Sequence, residues 1–254
     1  MLDQITSATN PRIKRLRKLL ESRSFRRSEG AFVLEHPAAI LEQLRDHPDR
    51  IEALIVRASS PYADTAYPAP TWILSEAVWG SVRQVKSSQG IMALLKLPTP
   101  PTLSDLVANA SLLLCLDRVQ NPTNVGAIIR AATAFRADGI LLLPGCADPF
   151  HPEALRAMAG YCFSLPFLAV TPSSLSEICP SHWTFIGLDP AAQTPLTSFS
   201  RPEKSVLILG SEGSGITAGF SYQPVSIPMS NAVESLNVAV SAGIALFHLA
   251  LGSV

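Results

Sequence analysis

The sequence contains few cysteines and no long apolar run, and these absences exclude several classes of protein. Four cysteines are spread over 254 residues, with no Cys-x-x-Cys pair and no histidine at ligand spacing: Cys115, Cys146, Cys162 and Cys179. We expect no zinc site and no disulfide framework, but buried cysteines in a reducing cytosol. Residues 1–18 lack the apolar segment of a signal peptide, and no run of about 18 apolar residues could span a membrane. A cytoplasmic protein without a membrane or metal partner is therefore predicted.

The chain also lacks a net charge, because 20 Lys and Arg balance 20 Asp and Glu. That balance argues against a protein that coats nucleic acid without specificity. Residues 1–100, however, contain 14 basic and 10 acidic residues, whereas residues 101–254 contain 6 and 10. Eight of the basic residues lie within residues 12–27, where Glu21 is the one acid. This segment indicates either a phosphate-binding surface or a solvated helix face that only aids solubility.

The distribution of proline and of apolar residues predicts two α/β domains. A proline-rich stretch at residues 98–106 is typical of a linker and separates residues 1–97 from residues 107–254. In the first part, a basic helix from Asn10 to about Arg23 precedes short apolar segments that alternate with helix-like ones. In the second part, continuous apolar runs predict parallel strands covered on both faces, with helices over Asn124–Phe135 and Asn237–Leu251. The apolar segments are Ala31–Leu34, Ile51–Val56, Thr71–Leu74 and Ile91–Leu95, then Ser111–Leu116, Gly139–Leu143, Trp183–Leu188 and Ser205–Leu209.

A first candidate motif, Asn-Pro-Thr-Asn-Val-Gly-Ala-Ile-Ile-Arg, follows a predicted strand and opens a helix at residues 121–130. Open α/β sheets bind ligands at the carboxyl ends of their strands. Asn121 or Thr123 could simply cap the helix, and Arg130 could be a solvated helix charge. Arg130 nevertheless interrupts an apolar run, which favours a functional role for it and for Asn124.

A second motif, Gly-Ser-Glu-Gly-Ser-Gly at residues 210–215, also follows a predicted strand. No Lys-Ser or Lys-Thr pair follows it, which excludes a Walker A loop, and no acidic residue stands at the distance of a ribose-binding carboxylate. A third motif, Ile-Pro-Met-Ser-Asn-Ala-Val-Glu-Ser-Leu-Asn-Val at residues 227–238, precedes the last helix. Ser235 or Asn237 could be an ordinary cap of that helix.

Together and in this order, the three motifs resemble those of the SpoU/TrmH family of RNA ribose 2′-O-methyltransferases, in the SPOUT superfamily. The resemblance covers residues 111–252 closely, including the segment at residues 148–160. Residues 5–97 are more loosely similar to the L30e-like, RNA substrate-binding domain of many members. The resemblance implies a C-terminal α/β domain with a parallel sheet and a deep trefoil knot, preceded by a small L30e-like α/β domain. It also implies homodimers that pair through the knotted domain.

The implied reaction is methyl transfer from S-adenosylmethionine, which leaves as S-adenosylhomocysteine, to a ribose 2′-hydroxyl in structured RNA. Ribosomal RNA is favoured over tRNA because an L30e-like domain precedes the catalytic domain, and guanosine is the favoured nucleotide. Lys14, Arg15 and Arg27 are the predicted RNA contacts. The residues that match family cofactor contacts, or lie beside them, are Leu188, Leu209, Gly210, Ile227, Met229 and Leu236. The predicted catalytic residues are Arg130, Asn124, Glu212, Ser235 and Asn237.

The role of Arg130 stays open between two alternatives. The family view gives it the activation of the hydroxyl, yet a guanidinium is normally a permanent hydrogen-bond donor. Holding a phosphate and stabilising developing alkoxide charge suits that chemistry better. Three alternative functions also remain: a tRNA methyltransferase, an enzyme that methylates a base nitrogen, and an RNA-binding protein that has kept the fold without catalysis.

Overall fold

A computed structural model describes residues 2–84, 88–178, 182–211, 215–216, 219, 221–230 and 234–251. Its residues divide into a first unit, Met1–Pro98 with Phe150–Gly160, and a second unit, Thr99–Pro149 with Tyr161–Val254. The predicted linker thus contains the boundary between the two units. Among the described residues, no helix is both long and apolar enough to cross a bilayer. Cys115, Cys146 and Cys162 are buried, as expected, and Cys179 lies outside the described residues.

The first unit is built on a mixed sheet that has, within the described ranges, the strand order β1-β4-β3-β5-β2. Strands β1, β4 and β3 run parallel to one another, and β5 is antiparallel to both of its neighbours. All four predicted apolar segments are strands, but β1 was not predicted because its sequence, Leu-Asp-Gln-Ile, is not an apolar run. The strands are β1 (Leu2–Ile5), β2 (Ala31–Leu34), β3 (Ile51–Arg57), β4 (Thr71–Leu74) and β5 (Ile91–Lys96).

The predicted basic helix is two helices. The side chain of Asn10 accepts a hydrogen bond from the backbone of Arg12 and starts α1 (Pro11–Glu21). Ser22 then ends α1 and caps α2 (Arg23–Glu29) by accepting from the backbone N–H of Phe25. The stripe of Ile13, Leu16, Leu19 and Leu20 is buried in the core of the first unit, as the sequence predicts. Two further helices follow, α3 (Pro37–Asp46) and α4 (Glu76–Gly80).

The second unit contains a sheet in which all strand pairs of the described residues are parallel, in the order β11-β9-β10-β6-β7-β8. The four predicted strands are confirmed, and the short outer strands β8 and β11 are additional. The strands are β6 (Leu112–Leu116), β7 (Gly139–Leu142), β8 (Phe167–Ala169), β9 (Thr184–Leu188), β10 (Ser205–Leu209) and β11 (Gln223–Val225). The helices are α5 (Leu103–Asn109), α6 (Pro122–Ala134), α8 (Pro172–Ile178) and α9 (Val238–Leu251). A mixed α/β fold with a parallel sheet is confirmed.

The segment Phe150–Gly160, which carries helix α7 (Pro152–Ala157), belongs to the first unit. We expected residues 107–254 to form one domain, whereas the contacts of this segment group it with the first unit. The ring of Phe150 packs on that of Phe32, with centroids 4.8 Å apart. Gly160 has a φ of +88°, and a Cβ placed on it would lie 2.4 Å from the Cβ of Ala39. These close contacts hold the segment against β2 and α3, and only the folded chain reveals them.

Candidate functional site

The carboxyl ends of four strands in the second unit meet at one edge of the sheet. Leu209 at the end of β10 pairs with Leu116 at the end of β6, and Leu188 at the end of β9 pairs with Val225 of β11. From β6 the chain proceeds to β7 and β8 on one side, and β9, β10 and β11 lie on the other. The order of strands therefore reverses between β6 and β10, which is where open α/β sheets form ligand sites.

A cavity of about 260 Å³ lies at this edge. All six residues predicted to bind the cofactor line it: Leu188, Leu209, Gly210, Ile227, Met229 and Leu236. They come from four separate segments of the chain. The fold therefore brings together residues that are up to 48 positions apart in the sequence (Leu188 to Leu236). The volume is close to the lower end of ordinary small-molecule sites, about 300 Å³.

Gly210 is required by the close approach of another part of the backbone. A Cβ placed on it would lie 2.3 Å from the carbonyl carbon of Gly215 and 2.6 Å from the nitrogen of Ile216. The backbone N–H of Gly215 donates to the carbonyl of Ser211, and both residues line the cavity. Any side chain at position 210 would displace the backbone of Gly215.

Helix α6 begins directly beyond β6. The side chain of Asn121 accepts hydrogen bonds from the backbone N–H groups of Thr123 and Asn124, and Pro122 occupies the first turn. Asn121 is therefore the helix cap that the sequence allowed, and Asn124 is left for another role. The Nδ2 of Asn237 donates to the Oδ1 of Asn124 over 3.1 Å, although 113 residues separate the two.

Asn237 also caps helix α9. Its Oδ1 accepts hydrogen bonds from the backbone N–H groups of Ala239 and Val240, at 2.9 and 3.3 Å. Asn237 is thus both the helix cap that the sequence allowed and the partner of Asn124. Helices α6 and α9 pack against each other, and the rings of Phe135 and Phe247 meet edge to face. This packing fixes the two asparagines next to the segment that lines the cavity.

Arg130 lies on α6 between the buried Ile129 and the half-buried Ala131, yet its own side chain is exposed. The described residues give it no salt bridge and no hydrogen bond. Ser235 is exposed as well and lines the cavity. Of the other predicted catalytic residues, Asn124 and Asn237 are in contact, whereas Glu212 lies outside the described residues. An unengaged guanidinium on an otherwise well-packed helix can hold a phosphate or stabilise a developing negative charge.

Sequence reasoning missed three polar residues that line the cavity: Asp189, Ser211 and Ser241. The signal for Asp189 was available, because it directly follows the predicted strand that ends at Leu188. A polar residue at the carboxyl end of a parallel strand is a candidate for ligand binding. Ser211 stands inside the second motif, whereas Ser241 could be found only from the packing of α9.

Several cations of the basic segment, residues 12–27, form contacts within the first unit that the composition does not indicate. Arg26 is buried, and its guanidinium donates to the backbone carbonyl of Leu19 over 2.6 Å. Arg15 forms ion pairs with Glu29 and Glu52, which lie outside the basic run. The side chains of Lys14 and Arg27 are exposed, and the described residues give neither an ion-pair partner. Of the three predicted RNA contacts, Lys14 and Arg27 therefore present charge to solvent, whereas Arg15 is held by two carboxylates.

Arg12 and Arg17 of α1 also form contacts with other elements of the first unit. Arg12 pairs with Asp3 over 2.6 Å and stacks over the ring of Trp72. Arg17 donates to the hydroxyl of Ser81 over 2.7 Å. These contacts join α1 to β1, β4 and the end of α4, so most cations of the helix also stabilise the unit.

Glu35 is one of the residues that line a small cavity in the first unit. Burial raises the pKa of Glu35 above its ordinary value, against the opposing effects of the Ser88 hydroxyl, the backbone of Gln84 and the charge of Arg156. Arg156 belongs to α7, so this carboxyl group faces the segment that the second half of the sequence contributes to the first unit.

Comparison with known proteins identifies similar chains. The family model described as SpoU rRNA Methylase family matches residues 111–247. A 23S rRNA (guanosine(2553)-2′-O)-methyltransferase, RlmP of Bacillus subtilis, is 29% identical over 98% of this chain and 99% of its own length. A 23S rRNA (guanosine-2′-O-)-methyltransferase, RlmB of Nitrosomonas europaea, is 32% identical over 83% of this chain and 87% of its own. The AdoMet-bound structure of an rRNA methyltransferase from Sinorhizobium meliloti has a TM-score of 0.83 and 25% identity, with 97% of each chain covered.

Proposed function

Because the chain belongs to the SpoU rRNA methylase family, we propose that it methylates a ribose 2′-hydroxyl of ribosomal RNA. It is an S-adenosylmethionine-dependent RNA methyltransferase, as its full-length relatives and its AdoMet-bound structural neighbour are. One observation carries the assignment of the site: the cavity lined by the second and third motifs adjoins the hydrogen-bonded pair Asn124 and Asn237. In this proposal, the donor site and the acceptor site would lie side by side in the second unit.

The lining of the cavity suits the chemistry of the cofactor. Its walls are largely apolar side chains and backbone, which suit a purine and the aliphatic part of the methionine chain, and the absence of a side chain at Gly210 keeps the backbone accessible. Leu188, Leu209, Gly210 and Ile227 would hold the cofactor from the strand ends. Met229 and Leu236 would hold it from the segment that leads into α9. The bound cofactor supplies a methyl group that is already activated by a sulfonium.

The chain's own residues then have to activate and orient the acceptor. The exposed guanidinium of Arg130 would hold the phosphate next to the target ribose and stabilise negative charge on its 2′-oxygen. The hydrogen bond between Asn124 and Asn237 would fix α6 against the cavity, so that the hydroxyl approaches in line. Ser235, which lines the cavity, and Glu212 complete the proposed catalytic set.

Ribosomal RNA is the proposed substrate and guanosine the proposed nucleotide, and both rest on the relatives. The named relatives from B. subtilis and N. europaea are 23S rRNA guanosine 2′-O-methyltransferases. Lys14 and Arg27 support an RNA-binding role for the first unit because their charges are exposed. The L30e-like character of this unit and the trefoil knot of the second remain part of the proposal, as does a cytoplasmic location. An experimental structure of the whole chain would test both folds.

We also propose that the protein is a homodimer that pairs through α9. This helix contains no Asp, Glu, Lys or Arg, and its exposed side chains include Val240, Ile244 and Phe247. Their spacing of four and three residues places them on one stripe of the helix. Sedimentation equilibrium of a Val240→Glu, Ile244→Glu variant should give a monomer. A variant with the same dimeric mass as the wild type would contradict this pairing.

The proposed reaction is tested by incubating the protein with ribosomal RNA and methyl-labelled S-adenosylmethionine, with tRNA in parallel. A 2′-O-methyl group blocks alkaline cleavage, so the label should remain in an alkali-stable dinucleotide that contains guanosine. Label in alkali-labile nucleotides would indicate base methylation. Label in tRNA alone would show the alternative substrate. Cofactor and RNA binding without transfer would mean a non-catalytic RNA-binding protein.

A further inference from the structure

Asp189 carries the only charged side chain among the described residues that line the cavity. The remaining lining residues are apolar, glycine or serine. A carboxylate at a partly enclosed apolar site costs solvation free energy, and a bound hydrogen-bond donor would offset that cost. Neither of the two functional motifs that surround the cavity includes this residue, which directly follows β9.

Backbone hydrogen bonds fix Asp189 in place. Its N–H donates to the carbonyl of Val225 in β11 over 3.0 Å, and its Oδ1 accepts from the N–H of Ala191 over 2.8 Å. An ionised carboxylate has about four lone-pair positions for acceptance. One N–H donor therefore leaves acceptor capacity for a ligand group, on a side chain that is already oriented.

The strand order places Asp189 away from the acceptor side of the site. Strand β10 lies between β9 and β6, and α6 with Asn124 begins beyond β6. Neighbouring strands are about 4.8 Å apart, so the ends of β9 and β6 are separated by about 10 Å. The methyl group has to reach the acceptor side, so the cofactor group nearest to Asp189 is remote from the sulfonium.

We propose that the Asp189 carboxylate binds a hydrogen-bond donor of the cofactor that is remote from its methyl group, either a ribose hydroxyl or the α-amino group of the methionine part. This inference rests on the proposed function. Both donors are also present in S-adenosylhomocysteine. Asp189 consequently contributes to the binding of cofactor and product alike and does not take part in the methyl transfer itself.

The test is calorimetric titration of wild type and Asp189→Asn with S-adenosylmethionine, S-adenosylhomocysteine and 5′-methylthioadenosine. Asparagine keeps the shape and the oxygen that accepts from Ala191, so the variant should fold, and thermal melts check this. The control is Glu203→Gln, which removes an exposed carboxylate that does not line the cavity. Asp189→Asn should bind the first two ligands about 10- to 100-fold more weakly, as expected for a lost charged hydrogen bond. The KM for S-adenosylmethionine should rise while kcat at saturation stays unchanged.

The third ligand narrows the choice of donor, because 5′-methylthioadenosine keeps the adenine and the ribose and lacks the α-amino group of the methionine part. An equal loss of affinity for it assigns the contact to the adenosine part, in which the ribose hydroxyls are the proposed donors, and an unchanged affinity assigns the α-amino group. Affinities of Asp189→Asn within twofold of wild type for both cofactor and product would overturn the inference. A loss confined to S-adenosylmethionine would also overturn it, since the contact would then be with the sulfonium. A wild type that binds none of the three would instead refute the proposed function.

Discussion

The basic segment of the first unit and helix α6 of the second unit differ in the contacts of their arginines. In the first unit, Arg26 is buried on the carbonyl of Leu19, and Arg15 is held by two carboxylates. In the second unit, Arg130 stands on a largely apolar helix, exposed and without a salt bridge or hydrogen bond in the described part of the chain. Most arginines of the dense basic segment thus form contacts within the fold, whereas the isolated Arg130 can bind a ligand. The number of cations in a segment is a poorer guide to function than their freedom from internal partners.

Apart from the loss of the Arg130 guanidinium, the largest expected effect is that of a side chain at Gly210. A Gly210→Val substitution places side-chain atoms where the backbone of Gly215 lies, so the cavity wall has to move. A displacement of about 1 Å at such a site can cost about a hundredfold in catalytic efficiency. The kcat/KM for S-adenosylmethionine should fall about a hundredfold. The affinity of the first unit for RNA should be unchanged. Wild-type kcat/KM in a folded Gly210→Val protein would show that the approach of the two backbones is not needed.

Variants of the basic segment, residues 12–27, should distinguish the charges that stabilise the fold from the charges that bind RNA. A Lys14→Ala, Arg27→Ala variant should keep its free energy of unfolding within about 0.5 kcal/mol, since both side chains are exposed. Its RNA affinity should fall, and the slope of log affinity against log salt should flatten by about one unit per lost phosphate contact. Filter binding at several salt concentrations measures both. The matched Arg26→Ala variant should instead lose about 2–4 kcal/mol of stability because buried carbonyls lose their donor. An unchanged salt slope in the double variant would show that these charges only aid solubility.

The smallest effect concerns Glu35, whose pKa is raised by burial. A folded-state pKa above the unfolded value means that the protonated form is favoured, so wild-type stability declines as the pH rises through the folded-state pKa. Glutamine resembles the protonated carboxyl group. Glu35→Gln should therefore melt at a higher temperature than wild type at pH 7, and the difference should vanish at pH values below the unfolded-state pKa. Melting curves between pH 4 and pH 8 would contradict this if the difference were largest at the acidic end.

Much of the second unit was predictable because buried parallel strands are continuous apolar runs. The four predicted strands there are observed, and all six predicted cofactor residues line one cavity. The short edge strands β8 and β11 were missed because three residues carry too little pattern. Asp189 was not predicted because it stands directly after β9, outside the three motifs.

In the first unit, four of the five strands within the described residues were predictable, but β1, the break between α1 and α2, and the partners of the charged side chains were not. Glu29 and Glu52 neutralise Arg15 from 14 and 37 residues away along the chain, so composition within residues 12–27 could not reveal the pairing. The same holds for the segment Phe150–Gly160, whose place depends on Phe32 and Ala39. Charge balance and domain membership are set by contacts distant in sequence, and local patterns do not contain them.

The most direct test measures methyl transfer to ribosomal RNA and S-adenosylmethionine affinity on one preparation of Arg130→Ala. The control is Arg136→Ala, which removes a second exposed arginine just beyond the same helix. Loss of a donor that stabilises transition-state charge should lower kcat about 100- to 1000-fold. Cofactor affinity should stay within a few-fold of wild type, and the control should transfer methyl groups normally. Near-wild-type turnover in Arg130→Ala, or an equal loss in both variants, would contradict the assignment of the acceptor site to Arg130.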